Sequence, residues 1–298
     1  MDMLHNAVLS LLKEEEIFSI EWALPEQYER SGRFMSVNER KQVLLKTYLY
    51  LSQHGSKIFC EDCLSRLKTY VNKRTLESSL NSVYRYPWNS LEKELLAKGQ
   101  KVPIFAFGSL INTQSASLSF TSEGNPALGF GFRRLFSYYN KINRNQSGCG
   151  LPSRSYSHEC AKLNALVTND VNDVTNGLVY EVDPSYFNDL REREEGYDLK
   201  KIVYVDFDDY VSATSKPKIK EAYIFSSPKG PMTETEEMYP HLNYLLLCVE
   251  GAAAHSEVFL NMFYHHTNLS DNKSALSDWF MDTIKNLVRE NAGLDLKS

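Results

Sequence analysis

The chain has 298 residues, 42% of them hydrophobic and 24% charged, with a formal net charge of −5. That length suits one large domain or two small ones, and the charge balance excludes a sequence-independent nucleic-acid binder, which needs a basic surface. Gly (14) and Pro (10) are too few for a collagen-like or linker-dominated chain, and no stretch approaches the ~20 apolar residues that cross a bilayer.

The first segment, MDMLHNAVLSLLKEEE, reads as an amphipathic helix whose apolar stretch ends at Leu12. An acid at position 2 and the missing cleavage pattern argue against a signal peptide. Glu14, Glu15 and Glu16 read as a solvated helix face. Five cysteines, a low and odd count, indicate no disulfide framework. A reducing compartment, the cytoplasm, is therefore the expected location, with export by a route lacking a standard signal left open. Ser36 followed by Glu39 is a capping-box pattern and predicts a helix through Val43, Leu44, Leu45 and Tyr48, ending near Gly55.

CEDCLSRLKTYV again has helical period. Cys60 and Cys63 make one C-x-x-C, with His54 upstream and no second pair at zinc spacing. They read as a buried helical pair of thiols rather than a metal or redox site. Asn89 with Glu92 predicts a second cap, opening a short helix through Leu95 and Leu96 that stops at Gly99. Residues 1–100 thus form a mostly helical N-terminal domain, and 101–298 a second domain.

The character changes at Lys101. KVPIFAFGSL reads as a buried strand stopped by Gly108. Further strands are expected at 163–169, 177–183, 201–207 and 220–225. A helix is expected from Pro184 to Glu195, with proline in its first turn. From Glu234 onward the pattern is helical, with Leu245, Leu246 and Leu247 as core. Strands mixed with helices, without strict alternation, argue for an α+β fold. Cys149 is a loop thiol without a marked histidine partner. His265 and His266 are sequence neighbours that do not converge on one ligand, so a capping or surface role is expected.

Two segments carry candidate chemistry. In DPSYFNDLREREEGYD, Phe187, Leu190, Glu194 and Tyr197 are spaced by three and four, so a continuous helix would put them on one face. Glu194 would then be partly desolvated, which raises a carboxyl pKa toward the range of a working acid or base. The alternative is an ion pair with a nearby arginine. Glu192 would face the other way and Glu195 lies off the stripe. In FAFGSL, Gly108 and Ser109 end a strand and can present backbone N–H groups and a hydroxyl to a ligand. Neither a nucleophile elbow nor a P-loop is present.

FGSL after an apolar strand, followed some 80 residues later by L-x-x-R-E-x-x-Y-D, resembles the gamma-glutamylcyclotransferase-like superfamily. The acidic motif, Leu190, Arg193, Glu194, Tyr197 and Asp198, is most similar to that of the ChaC-type glutathione-degrading branch. GFRRLF (131–136), LNALVTND with TNGLVYEVD, and YPHLNYLLLCVEGAAAHS (239–256) follow in the family's order. The resemblance covers roughly residues 102–270.

It implies a mixed β-barrel flanked by helices. It also implies cyclisation of a γ-glutamyl amide, glutathione or another, to 5-oxoproline and a free amine or peptide. No metal or organic cofactor is implied. Glu194 would be the acid/base, with Glu192 as competitor. Phe107, Gly108, Ser109 and Leu110 would form the substrate loop, although the family commonly has tyrosine where Phe107 stands. Arg133 or Arg134 would lie at the base of the pocket, and Tyr197 and Tyr244 would complete it. The partner expected is a small γ-glutamyl molecule, with no nucleic acid and no membrane. The alternative is a non-catalytic interaction protein that keeps the fold and binds a protein partner through residues 1–100.

Overall fold

Five strands close on themselves. In the computed structural model, β2 (Val102–Ala106) lies between β6 (Val174–Val182) and β8 (Lys220–Ser226), and β3 (Asn125–Phe130) lies between β6 and β7 (Asp198–Asp206). A further antiparallel pairing of β7 with β8, from Asp198↔Ser226 to Tyr204↔Lys220, shuts the ring. All its pairings are antiparallel except β2 with β8. Closure leaves no edge within the ring for another chain to pair with. The protein is therefore α+β, a mixed β-barrel flanked by helices. The structure describes residues 3–13, 36–54, 59–71, 76–77, 82–120, 122–138, 160–213, 216–227 and 238–291. Glu14, Glu15, Glu16 and Cys149 lie outside these.

A short strand, β1 (Val83–Tyr84), adds to the outside of β7. Gly131 (φ +81) separates β3 from β4 (Phe132–Tyr138) and turns the chain out of the barrel. A second sheet then forms from β4, β5 (Cys160–Val167), β9 (Tyr239–Pro240) and β10 (Thr267–Asn268).

The helices cover this core. α1 is Met3–Lys13, α2 Val37–His54, α3 Glu61–Tyr70, α4 Asn89–Lys98 and α5 Thr113–Ala116. They continue as α6 Phe187–Arg193, α7 Phe207–Val211, α8 Leu242–His255, α9 Glu257–His265 and α10 Leu276–Asn291. No helix among the described residues is long and apolar enough to cross a membrane. α8 is buried through Leu242–Val249, and α2 packs along it and along α9. Lys46 pairs with Glu250 at 3.1 Å, and the Tyr50 hydroxyl donates to the same carboxylate.

The capping box at α2 forms as expected. Ser36 N–H donates to Glu39 Oε2 (2.7 Å) and Glu39 N–H to Ser36 Oγ (3.2 Å). Three local expectations are corrected. Asn89 is the first residue of α4 rather than its cap; Trp88 holds the cap position, and Asn89 Oδ1 accepts from Arg191 instead. The late helical run breaks at Ser256, whose extended backbone caps α9 through Phe259 N–H. Cys60 and Cys63 are not a buried thiol pair: Cys60 is exposed at the N-cap of α3, Cys63 is half-buried, and the two are joined as a disulfide.

His241, at the N-cap of α8, is 5% exposed, and its Nδ1 has no hydrogen-bond partner. Burial, with Lys162 adding to it, pushes its pKa down to about 4. The unfolded imidazole titrates near ~6.5. Between these values the unfolded chain takes a proton that the folded chain refuses. Stability is therefore at its full value above pH ~6.5 and falls by about 3 kcal/mol as pH drops through about 4. Burial pushes His266 down to about 4 as well, so urea midpoints measured from pH 7 to pH 4 should fall steeply, and His241→Gln should make that fall shallower by the His241 share.

Candidate active site

The strand β2 ends at Ala106, and Phe107–Leu110 then turn across the barrel mouth into a 3-10 turn, Ser109–Ile111. This bend and four other segments line a small cleft that opens to solvent. Its walls are Ala106 to Leu110, Leu163 of β5, Glu194 and Tyr197 after α6, Phe225 of β8 and Tyr244 of α8.

Tyr244 organises the bend. Its ring is buried, and its hydroxyl is hydrogen-bonded by the main chain of Ser109 and Leu163 and meets the Cys248 thiol. Burial first, then Cys248 and Glu194, hold its pKa well above the ordinary phenol value, so it stays a neutral hydroxyl. Gly108 must be glycine here. A Cβ at that position would overlap the Tyr244 hydroxyl, whereas the ring carbon bearing it lies at 3.6 Å. Gly108→Ala should therefore lower the melting temperature. Tyr244→Phe in the same chain should recover part of the loss, because only an ordinary contact remains. A thermal double-mutant cycle should show coupling of roughly 1–3 kcal/mol.

Glu194 reaches the cleft by a different route from the one its spacing suggested. α6 stops at Arg193, so the 187–197 segment is not one helical face. Phe187 and Leu190 are buried as expected, but Glu194 caps the helix, its N–H bonded to Leu190 O. Gly196 (φ +88) then reverses the chain, and Tyr197 N–H returns to Glu194 O at 3.1 Å. Tyr138 holds this turn from above, its hydroxyl donating to Glu195 O (2.9 Å) and its ring stacked on Tyr197 at 4.0 Å. The turn, not a helix stripe, aims the carboxylate inward.

The Glu194 side chain is 15% exposed, with Arg193 Nε at 3.5 Å from Oε1. Arg193 is itself fixed to Ser115 and Ser119. Glu192 and Glu195 are exposed and do not line the cleft.

The two arginines separate. Arg133 lies away from the cleft, forked onto Asp173 and bonded to Asn272. Arg134 is fully buried beneath the bend. Its guanidinium bonds Phe107 O, Asn176 O and Oδ1, Phe263 O and Thr267 Oγ1. Burial lowers its pKa to about 9, which leaves it a cation at neutral pH. Tyr197 gives its ring to the cleft, while its hydroxyl is spent on Leu163 O (2.9 Å). Phe107 is buried and has no hydroxyl to offer a ligand.

Sequence reasoning missed the support behind the site. Trp88, 1% exposed, donates Nε1–H to Tyr197 O (2.9 Å) and packs on Phe225. Asp198 accepts from Tyr86 N–H (3.0 Å) and from Arg85 (2.6 Å). The alternation Tyr84, Tyr86, Trp88 was a strand-like signal inside a region read as helical. Leu163 and Phe225 had no signal beyond being apolar. Among the described residues, no group of three or more His, Cys, Asp or Glu is placed to hold a metal ion.

No protein-family model matches the chain, and no curated protein matches it. Among solved structures, it is similar to one described as a gamma-glutamyl cyclotransferase, at 15% identity over 63% of this chain and 99% of that one, TM-score 0.39. An uncharacterised protein from Homo sapiens gives 17% identity over 62% of this chain and 99% of that one, TM-score 0.39. YkqA from Bacillus subtilis gives 15% identity over 66% of this chain and 58% of that one, TM-score 0.38.

Proposed function

We propose that the protein is a gamma-glutamylcyclotransferase, converting glutathione or another γ-glutamyl amide to 5-oxoproline and a free amine or peptide. The observation that carries this reading is one juxtaposition. The Glu194 carboxylate, delivered by the turn after α6, shares a small cleft with the Gly108–Ser109 bend and the Tyr244 hydroxyl. The acidic and glycine-serine motifs whose spacing resembles that superfamily are the segments that meet there.

In the proposed cycle the bend holds the γ-glutamyl chain folded, and Glu194 faces its α-ammonium. A backbone-type α-amino group has a pKa near ~8, so one proton must leave before attack. Glu194 takes it, and the freed nitrogen attacks the γ-carbonyl carbon, closing a five-membered ring. Glu194 returns the proton to the departing nitrogen as the old C–N bond breaks. The ring nitrogen sheds a second proton, and the released amine is protonated in turn, so charge balances. Attack within one molecule lets positioning supply much of the rate. Tyr197 and Phe225 wall the reacting chain from water.

The test is 5-oxoproline release by purified protein from glutathione and a panel of γ-glutamylamines. Turnover of at least one compound is expected, and the pattern identifies the leaving group. Release from none would overturn the reading in favour of a binding protein that keeps the fold.

A further inference from the structure

The chain enters α3 through Phe59 and Cys60. Phe59 is buried against the rings of His266 (4.9 Å) and His265 (6.0 Å). Cys60 N–H donates to the Tyr210 hydroxyl on α7 at 2.6 Å. Leu64 and Leu67 of α3 are fully buried. The backbone around the disulfide is thus anchored on both sides. Yet Cys60 itself is exposed, and its Sγ accepts the Cys63 N–H at 3.2 Å, at the opening of a ten-residue helix.

We propose that Cys60 and Cys63 are a thiol–disulfide exchange site for low-molecular-weight thiols and disulfides, separate from the cleft. Three features point there. The disulfide closes between residues three apart, so opening it does not release a long loop. Cys60 is the exposed residue of the pair, while Cys63 is half-buried. The Cys60 thiolate produced on opening sits where the helix N-terminus and the Cys63 N–H stabilise negative sulfur. Glu61 and Asp62 in the first turn oppose this in part.

In the reductive direction an external thiolate attacks Cys60 Sγ. The S–S bond breaks, and Cys63 leaves with the electron pair and takes a proton. A second external thiolate attacks the outer sulfur of the mixed disulfide and releases Cys60. Two external thiols become one disulfide, and the protein pair gains two electrons and two protons. Oxidation runs the same steps backward with glutathione disulfide as oxidant. Phe59, Leu64 and Leu67 keep α3 in place throughout, so the fold does not depend on the state of the pair.

The experiment equilibrates the full chain across reduced-to-oxidised glutathione ratios, quenches with a maleimide, and maps every cysteine by peptide mass spectrometry. Cys60 and Cys63 are expected to pass together from alkylated to protected, while buried Cys248 stays unmodified in the folded protein. In Cys63→Ser, Cys60 should trap a glutathione adduct roughly tenfold faster than Cys63 does in Cys60→Ser. A pair that stays alkylatable in glutathione disulfide alone would overturn the proposal. So would a pair locked in excess reduced glutathione while circular dichroism shows a folded chain, or equal adduct rates in the two variants. None of these outcomes depends on whether the cleft turns over γ-glutamyl compounds.

Discussion

Glu194→Gln is expected to slow 5-oxoproline release about 10²–10⁴-fold, the usual contribution of a positioned general acid/base, with the melting curve close to that of the parent. The amide keeps the size of the carboxylate and loses only its ability to take a proton. Glu192→Gln, at an exposed position in the last turn of α6, is expected to leave the rate nearly unchanged. The pair of variants separates the two glutamates by position alone. Full activity in the Glu194 variant, or a large loss in the Glu192 variant, would remove Glu194 from the chemistry.

Trp88→Ala is expected to cost about 3–5 kcal/mol of stability, the range for emptying a large aromatic site in a core. The indole is enclosed by Tyr86 and Phe225 and bonds the Tyr197 carbonyl. That carbonyl lies three residues beyond Glu194, so the same change loosens the turn that aims the carboxylate. Trp88→Phe keeps much of the bulk and drops the N–H bond. It should therefore cost less stability but still reduce turnover. Chemical denaturation and the 5-oxoproline assay on both variants would check this, and a Trp88→Ala protein as stable as the parent would refute the packing argument.

The strands β2, β6, β7 and β8 were legible because β-branched and aromatic residues dominate them, and turn residues punctuate their ends. β3 was not, because Pro126 and Gly129 are residues that strands usually avoid. Gly129 is there for packing, since its missing side chain leaves room for Phe105 and Ile202. At the site, the bend at Gly108 and the acidic residue were both readable from local pattern. How they meet was not. The periodicity that singled out Glu194 assumed a helix running to Tyr197, whereas a glycine turn intervenes. Trp88 and Arg134 act through hydrogen bonds to residues 27 to 133 positions away in sequence, which no local pattern encodes.

Arg134 has five N–H groups, and five neutral oxygens receive them. Every donor is satisfied, yet none of those oxygens belongs to a carboxylate, so the positive charge is solvated but not cancelled. Sealed under the floor, it is also beyond the reach of dissolved ions that would mask a surface cation. The cleft above is left with a standing pull on negative groups that added salt does little to weaken.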